Sequence, residues 1–162
     1  MDSNKLLKRA IDLAQRALQA GNYPCGAVIA DQNGIIAEGM NESFTSHDIT
    51  AHAEIRCLQL LDIKNLADPA NRYLMVTSTE PCGGCSFFIA RTRAIRSVTW
   101  ALTDPQNAGF EDFSHDPTYR ELFSNITVTG EPDFAFRAES AQLFHEYYRK
   151  TNQPEKAALY LP

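Results

Sequence analysis

Tyr73-Leu74-Met75-Val76-Thr77-Ser78 leads directly into Thr79-Glu80-Pro81-Cys82-Gly83-Gly84-Cys85, and this junction decides the fold. Residues 73–78 are rich in strand formers and predict a buried strand. Pro81 suits the first turn of a following helix, where its missing N–H has no intrahelical role, and Cys82 continues that helix through Arg91. Residues 95–101 then alternate as a strand does. Strands alternating with helices imply a sheet covered by helices, an α/β layered fold.

Working outward from the junction gives the rest of the frame. Leu7, Ile11, Ala14 and Leu18 recur at three- and four-residue steps, which predicts an amphipathic helix over residues 3–20 ending at Gly21. The short apolar runs 27–30 and 34–37, separated by Asp31-Gln32-Asn33 with Gly34 supplying the turn, read as a hairpin. Residues 41–48 are polar and read as a loop, after which Thr50 is expected to cap a helix with Ile55, Leu58 and Leu61 on its apolar side. Downstream, residues 117–123 predict a short helix, 126–129 a last strand and 134–150 a closing helix. The tail from Thr151 shows no clear period. No repeat, low-complexity tract or linker interrupts the chain, so residues 1–162 are expected to form a single domain.

Composition narrows the function classes. A net charge of -5 argues against a surface built to neutralise a nucleic-acid backbone, because such binding needs clustered Lys and Arg. Arg91, Arg93 and Arg96 form a basic cluster that reads as a solvated helix end. No run of about 18 apolar residues is present and residues 1–7 carry Asp2 and Lys5, so neither a membrane span nor a secretory signal is expected. The expected location is the cytoplasm, where Cys25, Cys57, Cys82 and Cys85 are free thiols or metal ligands rather than disulfides.

The chemistry lies in Thr50-Ala51-His52-Ala53-Glu54 and Pro81-Cys82-Gly83-Gly84-Cys85. One imidazole and two thiolates are ligands that Zn²⁺ prefers, and three protein ligands leave a fourth tetrahedral position for water, the mark of a catalytic site. Cys82 and Cys85 share a helix face, and the helix start favours their ionised form. On a regular helix His52 and Glu54 diverge by about 200°, at roughly 100° per residue, so they share a site only at a helix end. Two thiolates cancel the formal charge of the ion and acidify bound water less than three neutral histidines do. A base beside the water is then needed, and Glu54 is the candidate. Two plainer readings compete: a redox pair, which leaves His-x-Glu unexplained, and a structural zinc site, which requires a fourth ligand from Cys25, Cys57, His47 or His115.

His-x-Glu with Pro-Cys-x-x-Cys is similar to the signature of zinc deaminases. The chain resembles the cytidine deaminase-like superfamily from its first helix through Asp112, most densely at 24–30, Asn41, 50–54, 77–85 and 103–112. Thr103-Asp104 followed by Ala108-Gly109-Phe110-Glu111-Asp112 is similar to a T-D-x-x-x-A-G-F-D-D motif of bacterial guanine deaminases. The resemblance implies a three-layer α-β-α sandwich around a mixed five-stranded sheet, a homodimer, and hydrolysis of guanine at C2 to xanthine and ammonia. It also implies that Asn41 contacts the purine ring, that Asp104 lies against the substrate amino group and that the backbone beside Ala53 lies against the base. Family members fold their C-terminal segment over a neighbouring subunit's active site, a role in which Tyr160 of the 151–162 tail is the candidate.

One departure affects the substrate. Guanine deaminases usually show Pro-Phe-Gly where this chain has Pro24-Cys25-Gly26, so an aromatic near the base is replaced by a small thiol. That change widens the pocket or leaves Cys25 as an inert buried residue. The alternatives to guanine are cytosine, a triazine or another small heterocycle, the adenosine of a tRNA, and a non-catalytic zinc-stabilised interaction domain.

Overall fold

The computed structural model describes residues 2–107 and 109–160, without the side chains of Glu111 and Ser114. Ala108 of the deaminase-like motif and the last two residues of the tail lie outside the described residues. The described residues form a five-stranded sheet in the order β2-β1-β3-β4-β5. Its strands are β1 (Gly26–Ala30), β2 (Ile35–Met40), β3 (Tyr73–Thr77), β4 (Ile95–Trp100) and β5 (Thr127–Gly130). β1 pairs antiparallel with both β2 and β3, while β3, β4 and β5 are parallel, so the sheet is mixed. The hairpin closes as predicted: the Asp31 carboxylate accepts the amides of Asn33 and Gly34, and Gly34 takes a φ of 152° that other residues rarely adopt.

Strand alternation divides the core into two layers. Val28, Ala30 and Val76 point to one face and pack under α1 (Ser3–Gln19), whose Leu6, Leu7 and Ile11 are buried against them. Ala27, Ile29, Met75 and Val98 point to the other face and meet Ala53, Cys57, Cys85, Ile89, Phe110 and Phe123. Those residues come from α2 (Ala53–Gln59), α4 (Gly83–Arg91), α5 (Phe110–His115) and α6 (Arg120–Phe123). α3 (Ile63–Ala67) precedes β3, and α7 (Phe134–Lys150) lies beside α1. Among the described residues no helix is long and apolar enough to cross a membrane.

Several expectations are corrected. Thr50 does not cap α2; its amide and hydroxyl both bond to the Asp48 carboxylate, at 2.8 and 2.7 Å, and the cap is His52. Pro81 lies outside α4, because Cys82 is still extended and is itself the cap. The helix expected over 117–123 is reduced to four residues, since Asp116, Pro117 and Thr118 form a turn held by the Asp116 carboxylate on the Thr118 amide. α2 ends at Gln59, which leaves Leu61 beyond it. The tail is ordered: α8 (Pro154–Ala157) and a 3₁₀ turn (Ala158–Tyr160) carry Ala157 and Tyr160 into an aromatic cluster with Phe144, Tyr147 and Tyr148.

Candidate active site

His52 and Cys82 both stand one residue before a helix, in extended backbone (φ -76°, ψ 154° and φ -64°, ψ 165°). At this position Ser, Thr, Asn or Asp usually turns its side chain back onto the first helical amides. Neither His52 nor Cys82 does so, which leaves imidazole and sulfur to face each other. His52 is not yet helical and Glu54 is the second residue of α2, so the divergence of a regular helix does not apply and both reach the same point. Cys85, the third residue of α4, completes the group.

The ligand atoms of His52, Cys82 and Cys85 lie within 4.8 Å of one another. His52 Nδ1 is 3.6 Å from Cys82 Sγ and 3.4 Å from Cys85 Sγ. A nitrogen and a sulfur bound to one tetrahedral zinc at their usual bond lengths are about 3.6 Å apart, so these residues fit the ion without rearrangement. None of Cys25, Cys57, His47 and His115 joins them among the described residues. Cys57 is buried in the core, where its thiol donates to the Ala27 carbonyl at 3.2 Å and burial pushes its pKa up. The site therefore has three ligands, as an open centre requires, and not the four of a closed structural one.

The surroundings set the charges. Cys82 accepts from Cys85 and lies beside His52, which holds its thiol down to about 4, while Cys85 keeps the shared proton and is raised. A dication held by these residues would stabilise both sulfurs as thiolates. Glu54 is buried at 5% exposure, with Oε2 3.4 Å from Cys85 Sγ. Desolvation raises its pKa, and the neighbouring Cys82 charge adds to the rise.

A cavity of about 560 Å³ opens over this group. Asn41, Asp104 and Cys25 line it, together with Tyr23 and Phe144. Burial pushes the Cys25 thiol up, so it faces the cavity as a small neutral group. Asn41 is buried and its Oδ1 accepts the Ser43 amide at 3.0 Å, which leaves its amide nitrogen for a ligand. Ala53 and Tyr160 are not among the lining residues: Ala53 is packed in the core and Tyr160 lies behind Asp104, donating to its Oδ1 at 2.6 Å. Sequence reasoning missed Tyr23, Phe44, Thr79, Glu80, Asn107 and Phe144, which also line the cavity. Glu80 carried a usable signal, a carboxylate directly before Pro-Cys, whereas Phe44 and Phe144 are ordinary apolar residues until the fold brings them together.

The loop after β4 is locked onto the ligand helix. The buried Glu80 carboxylate accepts the Phe110 amide at 2.9 Å, and a Cβ on Gly109 would stand 2.4 Å from the Gly83 nitrogen. This close approach ties Gly109 and Phe110, which follow Asp104 and Asn107 in the chain, to the start of α4.

Comparison with known proteins places this geometry. The family model for the cytidine and deoxycytidylate deaminase zinc-binding region matches residues 1–102. The chain is 38% identical over 115 residues to guanine deaminase of Bacillus subtilis, covering 69% of this chain and 73% of the relative. It is 37% identical over 161 residues to tRNA-specific adenosine deaminase of Haemophilus influenzae, covering 96% and 90% respectively. The X-ray structure of guanine deaminase from Bacillus subtilis matches with a TM-score of 0.58 at 31% identity, over 75% of each chain. With three zinc-type ligands in an open cavity and the mixed sheet of these relatives, the chain belongs to the zinc-dependent cytidine and deoxycytidylate deaminase family.

Proposed function

We propose that the protein hydrolyses a free nucleobase, guanine, to xanthine and ammonia. The observation that carries this reading is the charge of the cavity: Glu54, Glu80 and Asp104 line it, and no Lys or Arg does among the described residues. A phosphate-bearing polymer needs cationic side chains near the site that holds its base. Arg91 and Arg93 are exposed instead at the end of α4 away from Cys82, around a separate groove that they share with Arg96 and Glu121.

His52, Cys82 and Cys85 would hold zinc, which when bound would supply Lewis acidity toward an attacking water. Glu54 takes a proton from that water as its oxygen adds to C2, and returns it to the exocyclic nitrogen as the C2–N bond breaks. Its buried carboxylate, with Oε2 3.4 Å from Cys85 Sγ, is held beside the ligand group, where a proton can be accepted and returned. Asn41 donates to an acceptor on the ring, Asp104 accepts from an N–H, and Tyr23, Phe44 and Phe144 supply apolar walls. Cys25 leaves room beside the ring. We place the reaction in the cytoplasm, which the four free cysteines suit, and propose a homodimer.

The second reading, deamination of tRNA adenosine, is favoured by the 37% identity to a tRNA-specific enzyme across 96% of the chain. Ammonia release decides between them, measured with zinc-loaded protein on guanine, cytosine, triazines, free nucleosides and an anticodon stem-loop. Turnover of guanine is the expected result; turnover of the stem-loop alone, with an affinity that falls steeply with salt, would overturn it.

A further inference from the structure

We propose that Tyr160 is a positioning residue: it holds Asp104 in one orientation, so that a single acceptor, on Oδ2, is presented to one N–H of the substrate base. Tyr160 is buried and does not line the cavity, whereas Asp104 does. Its ring is stacked on Phe144 (centroids 4.9 Å apart, 12° between planes) and on Tyr148 (5.6 Å, 24°). The Gln106 side-chain amide donates to the Tyr160 oxygen at 3.1 Å, so the phenol's one hydrogen is left for Asp104 Oδ1, 2.6 Å away.

The remaining lone pairs can be counted. Two ionised carboxylate oxygens offer about four acceptor positions. On Asp104, Oδ1 takes the Tyr160 hydroxyl and the Gln106 amide (2.9 Å), and Oδ2 takes the Asn107 side-chain amide (3.1 Å). One position remains, on Oδ2. A carboxylate held by three donors does not rotate to suit a different ligand, and a base offering a lone pair or an N-methyl group there meets an acceptor it cannot pair. The tail thus contributes to specificity without touching the substrate. Phe144 joins the two sides of this arrangement, since it lines the cavity and also carries the stacked Tyr160 ring.

The inference rests on the free-base reading for its probe, guanine. The test is a double-mutant cycle on guanine binding in a Glu54→Gln background, which blocks turnover, using Tyr160→Phe, Asp104→Ala and both together. Zinc content and thermal unfolding are measured for each variant. Tyr160→Phe keeps the stack and should keep zinc and melting temperature, yet weaken guanine about tenfold, as expected for loss of a bond to a charged group. In the Asp104→Ala background the same change should cost less than about twofold, because nothing is left to position. An equal loss in both backgrounds would show that Tyr160 acts through packing alone and would overturn the proposal. If guanine is not bound and not turned over by the parent, the free-base reading fails by itself, and the cycle is run on whichever base or stem-loop the parent deaminates, where coupling supports the proposal and additivity overturns it.

Discussion

His52 and Cys82 occupy the same position on two different helices, each the extended residue before the first turn and each with a side chain that makes no capping bond. The first turns of α2 and α4 forgo a cap so that two ligands can face one point. Cys82→Ser should therefore do two opposite things. It removes a soft ligand and should lower zinc content well below one per chain. It also installs a preferred cap residue, so the zinc-free variant should be no less stable than the zinc-free parent and up to about 1 kcal/mol more stable. Metal analysis and thermal unfolding under chelation check both, and a variant that keeps zinc would remove Cys82 from the ligand set.

Glu54→Gln tests the base. Glu54 is buried, so the substitution removes a desolvated acid while keeping its volume. Zinc content and the fold should persist, and ammonia release from guanine should fall by about 10² to 10⁴. Activity within a few-fold of the parent would show that another group moves the protons, with the nearby Glu80 the next to examine.

How much of this was legible in the sequence depends on how local each signal was. The ligand set and the five strands were readable because Cys82 and Cys85 lie close in the chain and the strands carry short apolar or alternating runs. The cap on α2 was misread because Thr50 has a strong cap preference while the His52 imidazole has little; the Asp48 carboxylate took both Thr50 donors instead. Tyr160, which the resemblance implies as a cover over a neighbouring subunit's site, lies behind Asp104 of its own chain. Its partners Phe144 and Tyr148 lie on α7 and the hydroxyl bond spans 56 residues, beyond the reach of any local pattern.

Gly109→Ala tests whether the contact of Gly109 with the ligand helix bears on Asp104 and Asn107. The added Cβ would stand 2.4 Å from the Gly83 nitrogen and 2.8 Å from its Cα, and both are backbone atoms that cannot turn aside. The loop must lift from α4, at a cost of about 1–3 kcal/mol. Asp104 and Asn107 move with it, so KM for guanine should rise more than kcat falls. Chemical denaturation and steady-state kinetics measure the two effects, and unchanged KM in a destabilised variant would separate this loop from substrate binding.

The Arg9–Glu38 pair predicts a pH dependence of stability remote from the cavity. Arg9 Nε and Nη2 meet the Glu38 oxygens at 2.8 and 2.5 Å, and this bond holds the Glu38 carboxyl below its ordinary value of 4.5. A group whose pKa is lowered by folding contributes stability above its unfolded value, and that contribution is lost as the pH falls through the folded value. Both side chains are about a third exposed, at 35%, so solvent screening limits the contribution to about 0.5–1 kcal/mol. Glu38→Gln should cost that much at pH 7, less in high salt, and nothing at about pH 2, where the parent carboxyl is also neutral. Denaturant titrations of parent and variant at the two pH values measure the difference, and a cost that persisted in acid would assign the effect to packing of the Arg9 stem rather than to charge.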